Sequence, residues 1–264
     1  MADYTTLLLD RRPDHAVVRL NRPDKRNALS PQLIADLQAA LTALERDEAI
    51  RSIILTGEGQ AFSAGLDLEI LRDISTTRTR EENLADSKNL ADLFLRIHRH
   101  PKPIIAAVNG PAVAGGCGLA TVCDFTIASD AARFGYTEVR IGFVAAIVSI
   151  FLLRIVGEKT TRDLMLTGRI ITAAEAHALG LVGEVVPPPQ LLERAADLAR
   201  QLTENSPNSL AATKRLISSI PGDGLEADLR RACELNAHVR MTPDCREGVS
   251  AFLEKRKPDW ATPK

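Results

Sequence analysis

Cysteine is scarce in this chain of 264 residues, with four in all: Cys117, Cys123, Cys233 and Cys245. None forms a Cys-x-x-Cys pair, so the sequence predicts free thiols in a reducing, cytoplasmic setting rather than disulfides or a zinc centre. No secretory leader is expected either. The first twenty residues carry Asp3, Asp10, Arg11, Arg12 and Asp14, which breaks any signal-peptide core. No apolar run reaches the roughly 18 residues that a membrane span requires. Nor is there an excess of charge of one sign: 33 Lys and Arg face 34 Asp and Glu, a net charge of −1. That excludes a strong overall pull toward nucleic acid or an anionic membrane, although a local basic cluster can still hold a phosphate.

Familiar site patterns are missing as well. Gly116-Cys117-Gly118 begins a Gly-x-Gly-x-x-Gly run, but Thr121 stands where the last glycine belongs, and Gly57-Glu58-Gly59 fails likewise at Phe62. A nicotinamide-type nucleotide loop is therefore not expected. Ser63 has Ala61 two residues before it, so it does not sit in a Gly-x-Ser-x-Gly elbow. His98 and His100 do not share a helix face, and all five histidines read as surface or capping residues. No metal site and no separate cofactor are expected.

What the chain does contain is an alternation of strands and helices. Tyr4–Asp10 and His15–Leu20 read as a hairpin. Ser30-Pro31 reads as a helix start, with a capping hydroxyl and then proline at the first helical position. Leu33, Leu37, Ala40, Leu41 and Leu44 keep helical spacing behind it. Ser52–Thr56, Ile104–Val108, Asp124–Ser129, Arg133–Gly135 and Glu184–Val186 read as strands. The charged stretch Thr76–Asp86, expected to be solvated or mobile, leads into a helix through about His98. Ile147–Val156 and Thr160–Leu166 are predicted as two helices, and Ala173–Ala178 as a third. After Pro187-Pro188-Pro189 only helices are expected, near 190–204, 207–218, 225–240 and 244–255. The reading is an α/β core over 1–186 and a helical region over 187–264. Val249, Phe252 and Leu253 form one stripe on the terminal helix, suited to covering the core or docking on another subunit.

Two segments of small residues carry the chemical signal: Ala61-Phe62-Ser63-Ala64-Gly65-Leu66-Asp67-Leu68, and Gly110 through Gly118. Each follows a strand, and the second opens a helix. Small residues allow close approach to the backbone, and the first amides of a helix have no internal partner. Two such amides aimed at one point would stabilise an enolate-like oxyanion.

These residues resemble the enoyl-CoA hydratase/isomerase (crotonase) family. The blocks AFSAGLDL, PIIAAVNGPAVAGGCGLATVCDFTIAS, ARFGYTEVRIG and LTGRIITAAEAHALGLVGEVV follow one another in the family's order, with NRPDKRNALS before them and FLEKRKPDW after. The resemblance implies a spiral core of repeated β-β-α units with a C-terminal helical region. It implies an acyl-CoA substrate whose coenzyme A needs no further cofactor, and a homotrimer or homohexamer. The amides of Leu66 and Gly115 would form the oxyanion hole. Ala64, Asp67 and Leu68 would line the cleft, and Lys25 and Arg26 would lie near the CoA phosphates. Phe252 and Lys255 would reach CoA from a neighbouring subunit, although the apolar stripe alone reads Phe252 as core.

Glu138 follows Phe134-Gly135-Tyr136-Thr137, where the family keeps an acid/base carboxylate. Burial in an apolar cleft would raise its proton affinity toward neutral pH. The departure from the family is Gly118, where two-glutamate hydratases carry their other carboxylate. Ala145–Ile150 also lacks the usual proline and glycine, and Phe143 and Ile147 are expected to shape the acyl pocket. A similar glycine-for-glutamate pattern occurs in members resembling methylglutaconyl-CoA hydratases. The leading expectation is therefore hydration of a 2-enoyl-CoA. Isomerisation of a 3-enoyl-CoA by Glu138 alone, and acyl-CoA binding without catalysis, stay open as alternatives.

Overall fold

The computed structural model describes residues 4–70, 72, 79–219 and 224–258. Strands β1 (Leu7–Arg11) and β2 (His15–Leu20) form the expected hairpin, with Leu7 opposite Leu20 and Arg11 opposite Ala16. From β2 the sheet grows in parallel through β3 (Ser52–Gly57), β4 (Ile104–Val108), β6 (Phe125–Ser129) and β9 (Glu184–Val186). Every residue of β3 and β4 is buried, as parallel strands covered on both faces require. A second sheet joins β5 (Ala112–Val113), β7 (Arg133–Gly135) and β8 (Ile171–Thr172). The two-residue strands β5 and β8 were not visible in the sequence pattern.

Alternation along the strands divides the core in two. Val18, Ile53, Leu55, Ala106 and Val108 face the large cluster that holds most of the helices. Val17, Ile54, Ile105, Ala107 and Ile127 face the opposite side. One helix past the proline junction, α6 (Leu191–Thr203), covers that opposite side with Leu191, Ala195, Ala199 and Leu202. Their spacing places all four on one stripe.

On the main side lie α1 (Pro31–Arg46), capped by the Ser30 hydroxyl on the Leu33 amide at 3.2 Å, and α2 (Arg80–Arg99), which begins in a capping box of Thr79 and Glu82. Next come α3 (Gly115–Thr121), α4 (Ala146–Thr167) and α5 (Ala173–Ala178). After α6, the described residues form only helices: α7 (Pro207–Ser219), α8 (Gly224–Arg240) and α9 (Pro243–Leu253). Helix α8 runs antiparallel to α2. Arg99 pairs with Glu226 at one end, and Arg240 lies 3.8 Å from Asp86 at the other. Among the described residues no helix is long and apolar enough to cross a membrane.

Several expectations need correction. The two helices expected over 147–166, by contrast, are both present: they meet within α4 at a kink at Gly157, whose φ of 74° and ψ of 171° are not helical. The first residues of the stretch expected to be solvated, 76–78, lie outside the described residues. From Arg80 that stretch is helix, with Arg80, Glu81 and Glu82 exposed as expected and only Asn83 fully buried. Two histidines are not at the surface, although one of them, His100, is the C-cap residue of α2 and so fits the capping alternative. His15 is buried, and His100 is packed in the core with its ring nitrogens 3.3 Å from the Leu41 carbonyl and 3.1 Å from that of Lys102. His98 packs edge-on to Phe151, and burial pushes its pKa down to about 4. The four cysteines are free, and burial pushes the Cys117 thiol up to about 12.

Candidate active site

The first wall of the site is the loop after β3, pinned by Asn27. The Asn27 side-chain amide donates to the carbonyls of Glu58 and Ala61 at 2.9 and 2.8 Å, while its oxygen accepts from the Arg22 amide at 2.9 Å. The chain then runs alongside residues 26–29. Ala64 N–H donates to Arg26 O at 2.9 Å, Leu29 N–H to Gly65 O at 2.7 Å, and Asp67 N–H to Leu29 O at 3.1 Å. In a parallel bridge of this pattern the central residue's own N–H points away from its partner. The Leu66 amide is therefore turned toward the second wall.

That wall is the segment from β5 into α3. Val113 N–H donates to Ser63 O at 3.0 Å and Ala114 N–H to Gly135 O at 2.7 Å. Gly115 is the first helical residue, so its amide has no acceptor within the helix. The two walls meet so closely that a Cβ on Gly65, whose φ is 85°, would stand 3.0 Å from the Gly115 nitrogen and 2.7 Å from the Ala114 Cβ. A Cβ on Gly115 would in turn lie 3.9 Å from the Leu66 nitrogen. Ala114 is held at φ 50° and ψ −130°, a strained conformation costing on the order of 1–3 kcal/mol.

The carboxylate comes from the second sheet. After β7 the buried Tyr136 ring is held by the Thr121 hydroxyl at 2.7 Å, and a 3-10 turn (Glu138–Ile141) follows. Phe143 N–H returns to the Glu138 carbonyl at 3.0 Å. Gly142 lies against the start of α9, where a Cβ would meet the Asp244 carbonyl at 2.3 Å. Glu138 is 7% exposed, and its Oε2 has no hydrogen-bond partner. Burial pushes its pKa up to about 7, opposed only by a hydrogen bond from its own backbone. The side chain therefore exchanges a proton easily near neutrality.

Leu66, Gly115 and Glu138 all border one cavity of about 380 Å³. Its interior is apolar, with Leu68, Leu90, Phe94, Val113, Phe143, Ile147 and Val148. Exposed Arg26, Arg140, Phe252 and Arg256 mark its mouth. Glu138 also borders a second cavity of about 420 Å³, with Tyr136, Ser149 and Asp228. The Leu66 and Gly115 backbones and the Glu138 carboxyl thus share one cavity, and chemistry through an enolate would need both amides to meet a single carbonyl oxygen there.

Of the residues singled out in the sequence, Leu66, Gly115, Glu138, Arg26, Ala64, Leu68, Phe252, Phe143 and Ile147 border this cavity. The others do not. Asp67 is buried on the far side of its loop, 3.0 Å from the Arg22 guanidinium, in a separate small cavity with Leu29 and Ile34. Lys25 is exposed and bonded to Glu69 at 2.7 Å. Lys255 lies outside the lining, and the adjacent Arg256 stands there instead. Phe252 is not core. It is 59% exposed and lies at the mouth of its own chain's cavity. Gly118 is screened from the cavity: a Cβ there would meet the Phe94 ring at 2.7 Å and Val148 at 3.3 Å. Sequence reasoning missed Arg140 and Arg256. Arg140 lies two residues beyond Glu138, and nothing in the sequence pattern marked it.

Comparison with known proteins gives the family. A family profile described as enoyl-CoA hydratase/isomerase matches residues 14–263. A Thermus thermophilus protein provisionally named an enoyl-CoA hydratase is 53% identical over 92% of this chain and 96% of its own length. The crotonyl-CoA hydratase of Syntrophomonas wolfei is 36% identical over 97% of this chain and 98% of its own. Among solved structures, an enoyl-CoA hydratase/isomerase from Xanthobacter autotrophicus Py2 superposes with a TM-score of 0.89 at 31% identity, covering 99% of this chain and 100% of that one. With its sheet topology, the profile match over residues 14–263 and these relatives taken together, the chain belongs to the enoyl-CoA hydratase/isomerase (crotonase) family.

Proposed function

We propose that this protein is a 2-enoyl-CoA hydratase that works with one carboxylate. The thioester carbonyl oxygen sits between the amides of Leu66 and Gly115. Ionised Glu138 takes a proton from water as the water oxygen bonds to C3. The C2=C3 electrons move toward the carbonyl, and the amides stabilise the resulting enolate. Glu138 then returns the proton to C2, so that H and OH are added and the carboxylate is regenerated. The carrying observation is the lone buried carboxyl of Glu138, with its pKa at about 7, in the same cavity as the two amides. The hydratase names of the relatives support the same reading. Arg26, Arg140 and Arg256 at the mouth suit the phosphates of coenzyme A, which arrives as part of the substrate.

Isomerisation is the second reading, because Gly118 supplies no second carboxylate and a single one can carry a proton between C2 and C4. Crotonyl-CoA and a 3-enoyl-CoA offered side by side separate the two. Hydration of crotonyl-CoA as the faster reaction supports the hydratase, and exclusive double-bond migration rejects it.

The working unit we propose is a homotrimer or a pair of trimers in the cytoplasm, with residues 187–264 building the contacts between subunits. Exposed Leu216, Ile217 and Leu235 are apolar side chains of that region suited to such contacts. Light scattering coupled to size exclusion tests it, and a monomer at micromolar concentration rejects it.

A further inference from the structure

One stretch of the cavity wall has the wrong polarity for a plain hydrocarbon chain. Leu90, Phe94, Ile147 and Val148 are apolar, yet Asn236 stands among them. Asn236 is 3% exposed, and its Oδ1 has no hydrogen-bond partner. Behind it, on the face of α2 that packs against α8, Asn83 and Ser87 are fully buried. Both amide atoms of Asn83 and the Ser87 hydroxyl are also without partners. The antiparallel run of the two helices, set by the Arg99–Glu226 and Arg240–Asp86 pairs, brings Asn236 beside the part of α2 near Leu90. Ser87 lies one turn earlier on that face. Among the described residues, none donates to the Asn236 Oδ1.

Buried polar groups are nearly always paired, and an unpaired one carries a desolvation penalty. A methyl-ended acyl chain packed against Asn236 would leave that penalty in place. A chain bearing an oxygen substituent would relieve it. The two ends of a carboxamide can be exchanged by rotation, so Asn236 can either donate or accept. We propose that the acyl group received by this site carries a hydrogen-bonding oxygen, as a hydroxyl or carboxyl beyond the reacting carbons, and that Asn236 binds it. Sites built to pair with such a group discriminate strongly against the analogue that lacks it. The inference rests on the acyl-CoA reading above for the placement of the chain in this cavity.

The test uses saturated esters, so that it does not depend on turnover. Calorimetry on the full-length protein measures Kd for hexanoyl-, ω-hydroxyhexanoyl- and adipoyl-CoA, and for the shorter series butanoyl-, ω-hydroxybutanoyl- and succinyl-CoA. At least about tenfold tighter binding of an oxygen-bearing ester than of its methyl-ended partner is expected in one series. Asn236→Leu should abolish or invert that preference. Asn236→Met serves the same purpose through a more adaptable side chain if the leucine variant does not fold. The proposal is overturned if methyl-ended esters bind as tightly or more tightly in both series, the result expected if water simply occupies the polar wall. It is also overturned if the apolar variants keep the preference. Failure of every CoA ester to bind overturns the acyl-CoA reading as well, whereas binding without discrimination overturns this inference alone.

Discussion

The Phe94 ring occupies the space that a side chain on Gly118 would need. A Cβ at position 118 would stand 2.7 Å from Cε2 of the ring and 2.8 Å from Cζ. The carboxylate absent from position 118 is therefore not a simple deletion that leaves a vacancy. Gly118→Glu must displace a buried aromatic ring, and that ring borders the acyl cavity. The expected cost is about 1–3 kcal/mol of stability from overpacking, with a raised KM as the displaced ring takes space from the acyl chain. Combining the change with Phe94→Ala should relieve the clash. The double variant should then be more stable than the sum of the single effects by more than about 0.5 kcal/mol. Urea denaturation of the four proteins measures this, and strict additivity would mean that the ring and the new side chain do not compete.

Glu138→Gln keeps the shape of the side chain and removes its ability to take a proton. General acid/base groups contribute about 10²–10⁴-fold to rate, and a single carboxylate serving both proton transfers should fall at or above the upper end of that range. Affinity for a saturated acyl-CoA should stay within a few-fold, because the amides of Leu66 and Gly115 are untouched. Steady-state turnover with crotonyl-CoA, paired with calorimetric binding, is the measurement. Turnover within tenfold of wild type would remove Glu138 from the reaction.

The raised pKa of Glu138 also fixes the sign of two pH effects. Its folded value of about 7 stands above the ordinary 4.5, so the folded protein binds this proton more tightly than the unfolded chain. The associated stability is fully present below pH 4.5 and is lost as pH rises to about 7, a change on the order of 3 kcal/mol. Relative to wild type, Glu138→Gln should thus gain stability across that window and show no further change above it. Catalysis runs the other way, since the proposed first step needs the ionised carboxyl. The kcat/KM of wild type should rise with pH to a plateau with an apparent pKa near 7. A profile flat from acid to mildly alkaline pH would contradict both the burial of the group and its role.

The parts of this site legible in the sequence were those fixed by local covalent pattern. Strands such as 52–57 and 104–108 announce themselves as continuous apolar runs because both of their faces are covered. Gly65 and Gly115 stand out because only small residues permit two backbone segments to approach so closely. The illegible parts depend on what packs from a distance. Phe94 fills the place beside Gly118 from a different helix. The strands β5 and β8 exist only through their pairing with β7, and two residues carry no periodicity of their own. His100 is buried because Leu41 and Lys102 offer carbonyls to its ring. Position 255 was singled out and the cavity selects its neighbour Arg256, because the chain leaves α9 with Lys255 at a φ of 55°.

Asp67 gives the sharpest contrast between what sequence position implies and what the side chain does. It follows Leu66 directly, yet its carboxylate is turned away from the cavity and paired with Arg22, whose guanidinium also donates to the Ala28 carbonyl at 2.6 Å. The pair ties the segment before α1 to the loop that presents the Leu66 amide. With one partner buried and the other partly exposed, Asp67→Asn should cost more than the ~1 kcal/mol of a surface pair and less than the ~3–5 kcal/mol of a fully buried one. The bonds from Leu29 N–H to Gly65 O and from Asp67 N–H to Leu29 O belong to the backbone and survive the substitution. The Leu66 amide should therefore keep its aim, and kcat/KM for crotonyl-CoA should stay within a few-fold while the urea midpoint falls. The opposite pattern, an unchanged midpoint with a KM raised tenfold or more, would place the Asp67 carboxylate against the substrate after all.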